Sequence, residues 1–483
     1  MEDKYVHSIE QHTIQQIPLN ARYGKAQDLF TLWFGGNLML LTFVTGSVSV
    51  TIFHQSFVSA ILSIILGTLI CGIFAALHAA LHAALHAALH AALHAALHAA
   101  QGPHLGVPQM IQTKGQFGAY GALPILGVVV IMYVGFLASN ATLAGQAMNL
   151  LIPSFSQSSG ILFTCVVAVI GTIVGYRLIH LFTKITFVIS GFAFLAAYVW
   201  VFFIQGLPSD FFARNSFSAT GFLATLSIAA LWQIAYAPYV SDATRHLPKE
   251  TGAKAAFWAT YWGCGLGTII PMCLGVTIGL VTPSGDVIAG MIDYVPKMGS
   301  VFILILVISI SAINSMNLYC GVLTLISFIQ TFIPSFMPLA KGRIVISFLL
   351  IAIALWIGIK ASSNFLPIFI NFIFLLIYVL IPWTAVNLVD YYWVRHGEYD
   401  VDSFFHQDGG IYGKFNLMAI SAYIFGVIVQ VPFIATDLYT GPIAKALDGA
   451  DVSWVVGLIL TSIFYLMGIK FFGIKDHSYK AKK

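Results

Sequence analysis

Twelve stretches of the chain are apolar almost without interruption, near residues 28–51, 56–77, 119–151, 160–178, 183–205, 218–238, 254–281, 299–332, 344–359, 363–386, 415–436 and 452–472. Most approach the length an α-helix needs to cross ~30 Å of hydrocarbon, and a helix satisfies its own backbone hydrogen bonds there. The pattern predicts an all-α polytopic membrane protein with twelve transmembrane helices. It leaves an N-terminal tail over 1–27, a polar loop over 387–414 and a basic tail over 473–483.

Composition agrees: 59% of residues are hydrophobic, 8% are charged, and mean hydropathy is +0.90. No water-soluble fold of this size buries that much apolar surface. The five cysteines fall inside the apolar stretches without paired spacing, which suggests neither a disulfide framework nor a zinc module.

Charge sets orientation. With both termini placed in the cytoplasm of an inner membrane, 18 of the 22 Lys and Arg residues fall on the inside, and Arg214, Lys297, Lys360 and Lys445 on the outside. The net charge of +4 then reflects topology, and no nucleic-acid partner is expected. The N-terminus lacks a short basic region with a cleavage site, so a removable signal peptide is not expected.

Residues 77–100 are six copies of Leu-His-Ala-Ala. As a separate span they would move every later loop to the other side and leave seven basic residues inside and fifteen outside (3 + 4 and 18 − 3), so they are expected to extend the second helix into the cytoplasm. Four residues turn a helix by about 400°, so successive histidines drift by about 40° and form no straight row. Pairs four apart could chelate Zn²⁺ or Ni²⁺ or titrate near pH ~6.5, but a low-complexity expansion is the favoured reading. If one unit is ancestral, five are surplus. The expected result is a protruding helix with a return strand, a helical hairpin, or impaired transport.

Candidate chemistry lies in polar and irregular features of the spans. All four glutamates lie outside them, so a buried carboxylate relay is not expected. Helix breakers stand in the first helix (Gly35 and Gly36 of "LWFGGN") and the sixth (Pro238 of "ALWQIAYAPYV"), as in transporters whose unwound helices meet a ligand at the midplane. Nearby are Asn37, Trp232 and Gln233, with Tyr133 in the third helix and Asn314 and Asn317 in the eighth. Amides donate and accept, as a nucleobase edge requires, and rings stack on a planar heterocycle. "SDATRHLP" offers Asp242 and Arg245 as an i,i+3 clasp at a helix end.

Together, "ARYGKAQDLFTLWFGGN", "GPHLGVPQMIQTKGQFGAYGALP", "PYVSDATRHLP", "NSMNLYCG", "VDYYWVRHGEY" and "GGIYGKFN", in this order, resemble the nucleobase/cation symporter family of purine, cytosine, hydantoin and allantoin carriers. The resemblance implies a five-plus-five inverted repeat over 28–386, two further helices over 415–472, and a flat substrate held between aromatics of helices three and six. It matches Trp232 and Asn317 to substrate-binding positions, with Asn314 one turn earlier. Tyr133 stands where the family has tryptophan, and Leu137 where hydantoin carriers have glutamine. A sodium site is implied at Gly35, Leu38, Ser309 and Ser311, with Ala312 where a hydroxyl is expected, so either Na⁺ or H⁺ is the coupling ion.

The reading is a transporter and not an enzyme, with a small-molecule substrate and the lipid bilayer as partners and no other cofactor. The alternatives are another solute on the same fold, such as allantoin, hydantoin, an amino acid or an amine, or a variant disabled by its repeat. A metalloenzyme built on the histidines would need ligands that converge, and these spiral.

Overall fold

The computed structural model describes residues 13–69 and 91–473 apart from positions 283, 297 and 339, and it is all-helical among the described residues. A helix stands in each of the twelve predicted places. Eight stretches among the described residues are long and apolar enough to cross a membrane, or nine when one bent pair is taken as a single span. One of the eight, Lys341–Val394, holds two helices end to end.

The first span is that bent pair: α1 (Ala26–Asn37) and α2 (Leu40–Thr51) meet at 57°. The break falls at Leu38 and Met39, where ψ rises to 63° and 167°, and not at the two glycines. Gly35 and Gly36 remain helical because their missing side chains make room for neighbours. A Cβ on Gly36 would stand 2.8 Å from the Ile313 side chain, and one on Gly35 would stand 2.8 Å from Thr183 and Phe187.

α3 (Phe57–Leu69), α4 (Ala91–Leu105) and the short α5 (Gln109–Phe117) lead into α6 (Leu123–Leu151), which packs along its length on the eighth span. α7 (Gln157–Val174) and α8 (Tyr176–Val199) are separated by Gly175 alone, at φ +101°. The expected loop over 179–182 is therefore helical, since one left-handed glycine turns the chain.

α9 (Ala219–Ile234) and α10 (Ala237–Thr244) form the sixth span, broken at Ala235 and Tyr236. Pro238 lies in the first turn of α10, where a missing N–H costs no hydrogen bond. α11 (Gly252–Val281) then packs against both halves of the first span, and the backbones touch at Gly46 and Gly275. After the short α12 (Val287–Tyr294) come α13 (Gly299–Phe332), α14 (Ala340–Ala361) and α15 (Phe365–Val389). α16 (Leu417–Gln430), α17 (Pro442–Ala446) and α18 (Ser453–Phe472) complete the chain.

The end of the repeat corrects the expectation of a rod in the cytoplasm. α4 contains its last units and lies against α10 and α11, with Ala95, Ala96, Ala99 and His98 buried. The His98 ring stacks on Trp383 at 5.0 Å, its Nδ1 lies 3.1 Å from the Gln109 amide, and its carbonyl accepts from the Ser241 hydroxyl. Small alanines let helices approach closely, which explains why this unit suits an interior. His78, His82, His86 and His90 lie outside the described residues.

Candidate functional site

The breaks in the first and sixth spans face each other, and a small cavity of about 30 Å³ lies between them. Its walls are Trp33 and Met39 of the first span, Phe136 and Asn140 of α6, Trp232, Ala235, Tyr236 and Tyr239 of the sixth span, and Ile313, Met316 and Asn317 of α13. Each helix contributes where its winding stops or where one polar side chain interrupts an apolar face.

Asn37, the last residue of α1, organises one side. Its side-chain oxygen accepts from Trp232 Nε1 at 2.9 Å, the Tyr236 hydroxyl at 2.8 Å and the Thr268 hydroxyl at 3.3 Å, and its amide donates to the Trp33 carbonyl at 2.7 Å. One fully buried amide thus fixes the edges of two rings. Trp33 and Tyr236 meet edge to face at 5.5 Å, as do Phe136 and Trp232 at 6.4 Å.

Three asparagines organise the other side. Asn314 donates to the Leu137 carbonyl at 3.1 Å and accepts from Asn140 at 2.8 Å and Asn317 at 3.0 Å, and Asn317 accepts from the Tyr239 hydroxyl at 2.8 Å. Asn140 Oδ1 is left without a hydrogen-bond partner among the described residues, although Asn140 is buried. A buried acceptor without a donor is costly, and this one belongs to a cavity wall.

The predicted residues therefore divide. Trp232 and Asn317 line one cavity, while Asn37 and Asn314 stand behind the wall and hold it in shape. Tyr133 and Gln233 do not line this cavity. The Tyr133 hydroxyl donates to the Pro238 carbonyl at 2.9 Å, and its ring packs edge-on against Tyr239. The Gln233 amide donates to Thr268 on α11 at 2.8 Å. The cavity face of α6 carries Phe136 and Asn140, three residues on from Tyr133 and Leu137. Three residues rotate a helix by about 300°, so the two pairs lie on different faces of α6. Asn140 offered a signal of its own, an amide among apolar residues.

Of the sodium candidates, the Ser309 hydroxyl donates to the Leu38 carbonyl at 2.8 Å, which joins α13 to the break in the first span. The Gly35 carbonyl accepts from the Leu38 N–H at 3.2 Å. Ser311 is turned elsewhere, toward Val307 on its own helix and Thr164 on α7. Ala312 carries no oxygen in its side chain. No group of three His, Cys, Asp or Glu side chains suited to a metal occurs among the described residues, so only neutral oxygens are offered to an ion here.

Arg245 donates to the Thr13 carbonyl at 2.9 Å and the Tyr319 hydroxyl at 3.0 Å, and Asp242 accepts from the Gln109 backbone at 2.8 Å. "SDATRHLP" therefore binds the N-terminal segment, α13 and α5 at once.

The family profile described as permease for cytosine/purines, uracil, thiamine, allantoin matches residues 16–95 and 80–457. The chain belongs to this family of cytosine/purine permeases. Among its relatives, the Bacillus subtilis protein named "Putative purine-cytosine permease YxlA" is 36% identical over 96% of both chains. The purine-cytosine permease fcyB of Emericella nidulans is 24% identical over 96% of this chain and 90% of its own. The permease also shares its fold with Mhp1, a nucleobase-cation-symport-1 family transporter. The TM-score is 0.74 to a closed conformation with bromovinylhydantoin bound, at 14% identity and 96% of each chain. To an inward-facing conformation it is 0.67, at 15% identity, 96% of this chain and 94% of the other. The two matched stretches of the permease profile overlap over 80–95, inside the Leu-His-Ala-Ala repeat.

Proposed function

We propose that this permease imports a nucleobase, cytosine or a purine, or a related planar nitrogen heterocycle, by cation-coupled alternating access. The observation that carries the reading is Asn140 Oδ1, a buried acceptor without a partner among the described residues, in the wall of an indole- and phenol-lined cavity. A ring N–H or exocyclic amine would supply the missing donor, and Trp232 and Phe136 would take the two faces of the ring. A space of about 30 Å³ holds roughly one water, so the rings must part to admit a heterocycle. Bound substrate would then favour the conformation in which they are apart.

In this reading the spans form a five-plus-five inverted repeat followed by two more, with both termini in the cytoplasm. The coupling ion would sit between the Leu38 carbonyl and the Ser309 hydroxyl, whose hydrogen bond to each other it would replace. Repeat units are surplus to the second crossing. α3 and α4 supply 28 helical residues (13 + 15), roughly 42 Å at ~1.5 Å per residue, without residues 70–90, which include three and a half of the six units.

Uptake of radiolabelled cytosine, adenine, uracil, allantoin and hydantoin into proteoliposomes, with and without a sodium gradient, tests the proposal. Saturable uptake of one of these heterocycles, weakened by Asn140→Leu, is expected. Uptake confined to amino acids or amines would overturn it.

A further inference from the structure

A second cavity, of about 480 Å³, shares no lining residue with the first. It is formed where three separate parts of the fold converge: the last turn of α4 with His104, the turn before α11 with Lys249, and the end of α15 with Tyr391, Tyr392 and His396. Its titratable side chains are one lysine, two histidines and two tyrosines. No carboxylate lines it, and Glu398, which acts on His104 electrostatically, stands outside the walls.

The groups are tied to one another and to the backbone. His104 Nδ1 lies 3.4 Å from the Tyr391 hydroxyl. His396 sits in the left-handed region at φ +51°, a conformation that a non-glycine residue adopts at a cost, and its Nδ1 lies 3.1 Å from the Tyr392 carbonyl. The Tyr392 hydroxyl donates to the Leu97 carbonyl at 2.8 Å, which ties the end of α15 to the repeat unit. His104, Lys249 and His396 are all exposed. Tyr391, Tyr392 and Trp393 follow an apolar helix, the place in sequence where membrane helices carry their interfacial aromatics.

We propose that this cavity binds the phosphate of an anionic ligand, either the headgroup of an acidic phospholipid or free phosphate. A lysine ammonium and two imidazoles from three different elements line a volume large enough for a phosphate, and no carboxylate is among its walls. Basic pockets between membrane helices take lipid headgroups by this chemistry. Because Lys249 follows the sixth span and His396 follows α15, one bound phosphate would bridge them and fix their relative position. The inference is independent of the transported substrate.

The test uses the full-length protein, purified in detergent, and follows its thermal unfolding midpoint as phosphatidylglycerol, phosphatidylcholine or inorganic phosphate is titrated in. Phosphatidylglycerol is expected to raise the midpoint and phosphatidylcholine is not. Lys249→Gln, on an exposed side chain, is expected to weaken the apparent affinity about tenfold, equivalent to ~1.4 kcal/mol. The triple variant with His104→Gln and His396→Gln should abolish the effect, and Lys254→Gln, a neighbouring exposed lysine, should leave it intact. An equal rise with inorganic phosphate assigns the site to the free anion. No rise with either, or a rise that survives the triple variant or is lost in Lys254→Gln, overturns the proposal.

Discussion

Asn140 and Lys114 show how differently two buried polar residues can be used. For Asn140→Leu, loss of one hydrogen bond to a substrate predicts a rise of roughly 5- to 100-fold in the KM of heterocycle uptake, with the amount of folded protein unchanged. Lys114 lies on α5, outside the spans, and its amine donates to Gln330 at 2.6 Å. Burial lowers its pKa from 10.5 to about 7. The unfolded chain keeps the proton up to its ordinary pKa, so between about 7 and 10.5 it binds more protons than the folded one and stability rises with pH; below about 7 the penalty is complete and constant. Unfolding midpoints of detergent-purified protein are expected to rise from pH about 7 to about 9, and Lys114→Met should flatten that slope. An unchanged slope in the variant would assign the effect to other groups. The sequence showed Trp232 and Asn317 because an indole and an amide stand out near a helix breaker. Phe136 did not stand out, since periodicity reveals that a helix has faces and not which one meets a cavity.

At the scale of elements, apolar run length located the helices well, because hydrocarbon thickness leaves little choice. Their ends and breaks were less legible. Gly35 and Gly36 looked like the site of unwinding, yet the chain leaves the helix at Leu38 and Met39, and the glycines serve close packing. A contrast between two other glycines tests that use. A Cβ on Gly46 would stand 2.1 Å from the Met272 carbonyl oxygen, whereas one on Gly191 would meet only the tip of Leu38 at 4.0 Å. Gly46→Ala must push two helix backbones apart, so it is expected to cost on the order of 1–3 kcal/mol and reduce the monodisperse fraction in size-exclusion chromatography, while Gly191→Ala is neutral. Equal behaviour of the two would refute the close-packing account. The hydroxyl of Ser309 joins another element to the first break. Ser309→Ala is expected to weaken any sodium stimulation of uptake and leave sodium-free uptake unchanged.

For the whole molecule, hydropathy predicted the all-helical architecture and the ordered motifs predicted its family. The repeat was the part that composition could not place. Its alanines and leucines marked it as helical, but only the packed neighbours of α4 show that the final unit belongs to the interior. If the added units are surplus, removing five of them should leave the number of crossings unchanged and preserve or increase uptake; loss of folded protein on deletion would show that the added units are needed. His98, enclosed by Trp383, Gln109 and Ser241, is occupied by the same four-residue motif that precedes it along the chain. Gain or loss of whole copies upstream therefore presents identical side chains to that niche. Copy number can drift between generations while selection on the interior sees no change.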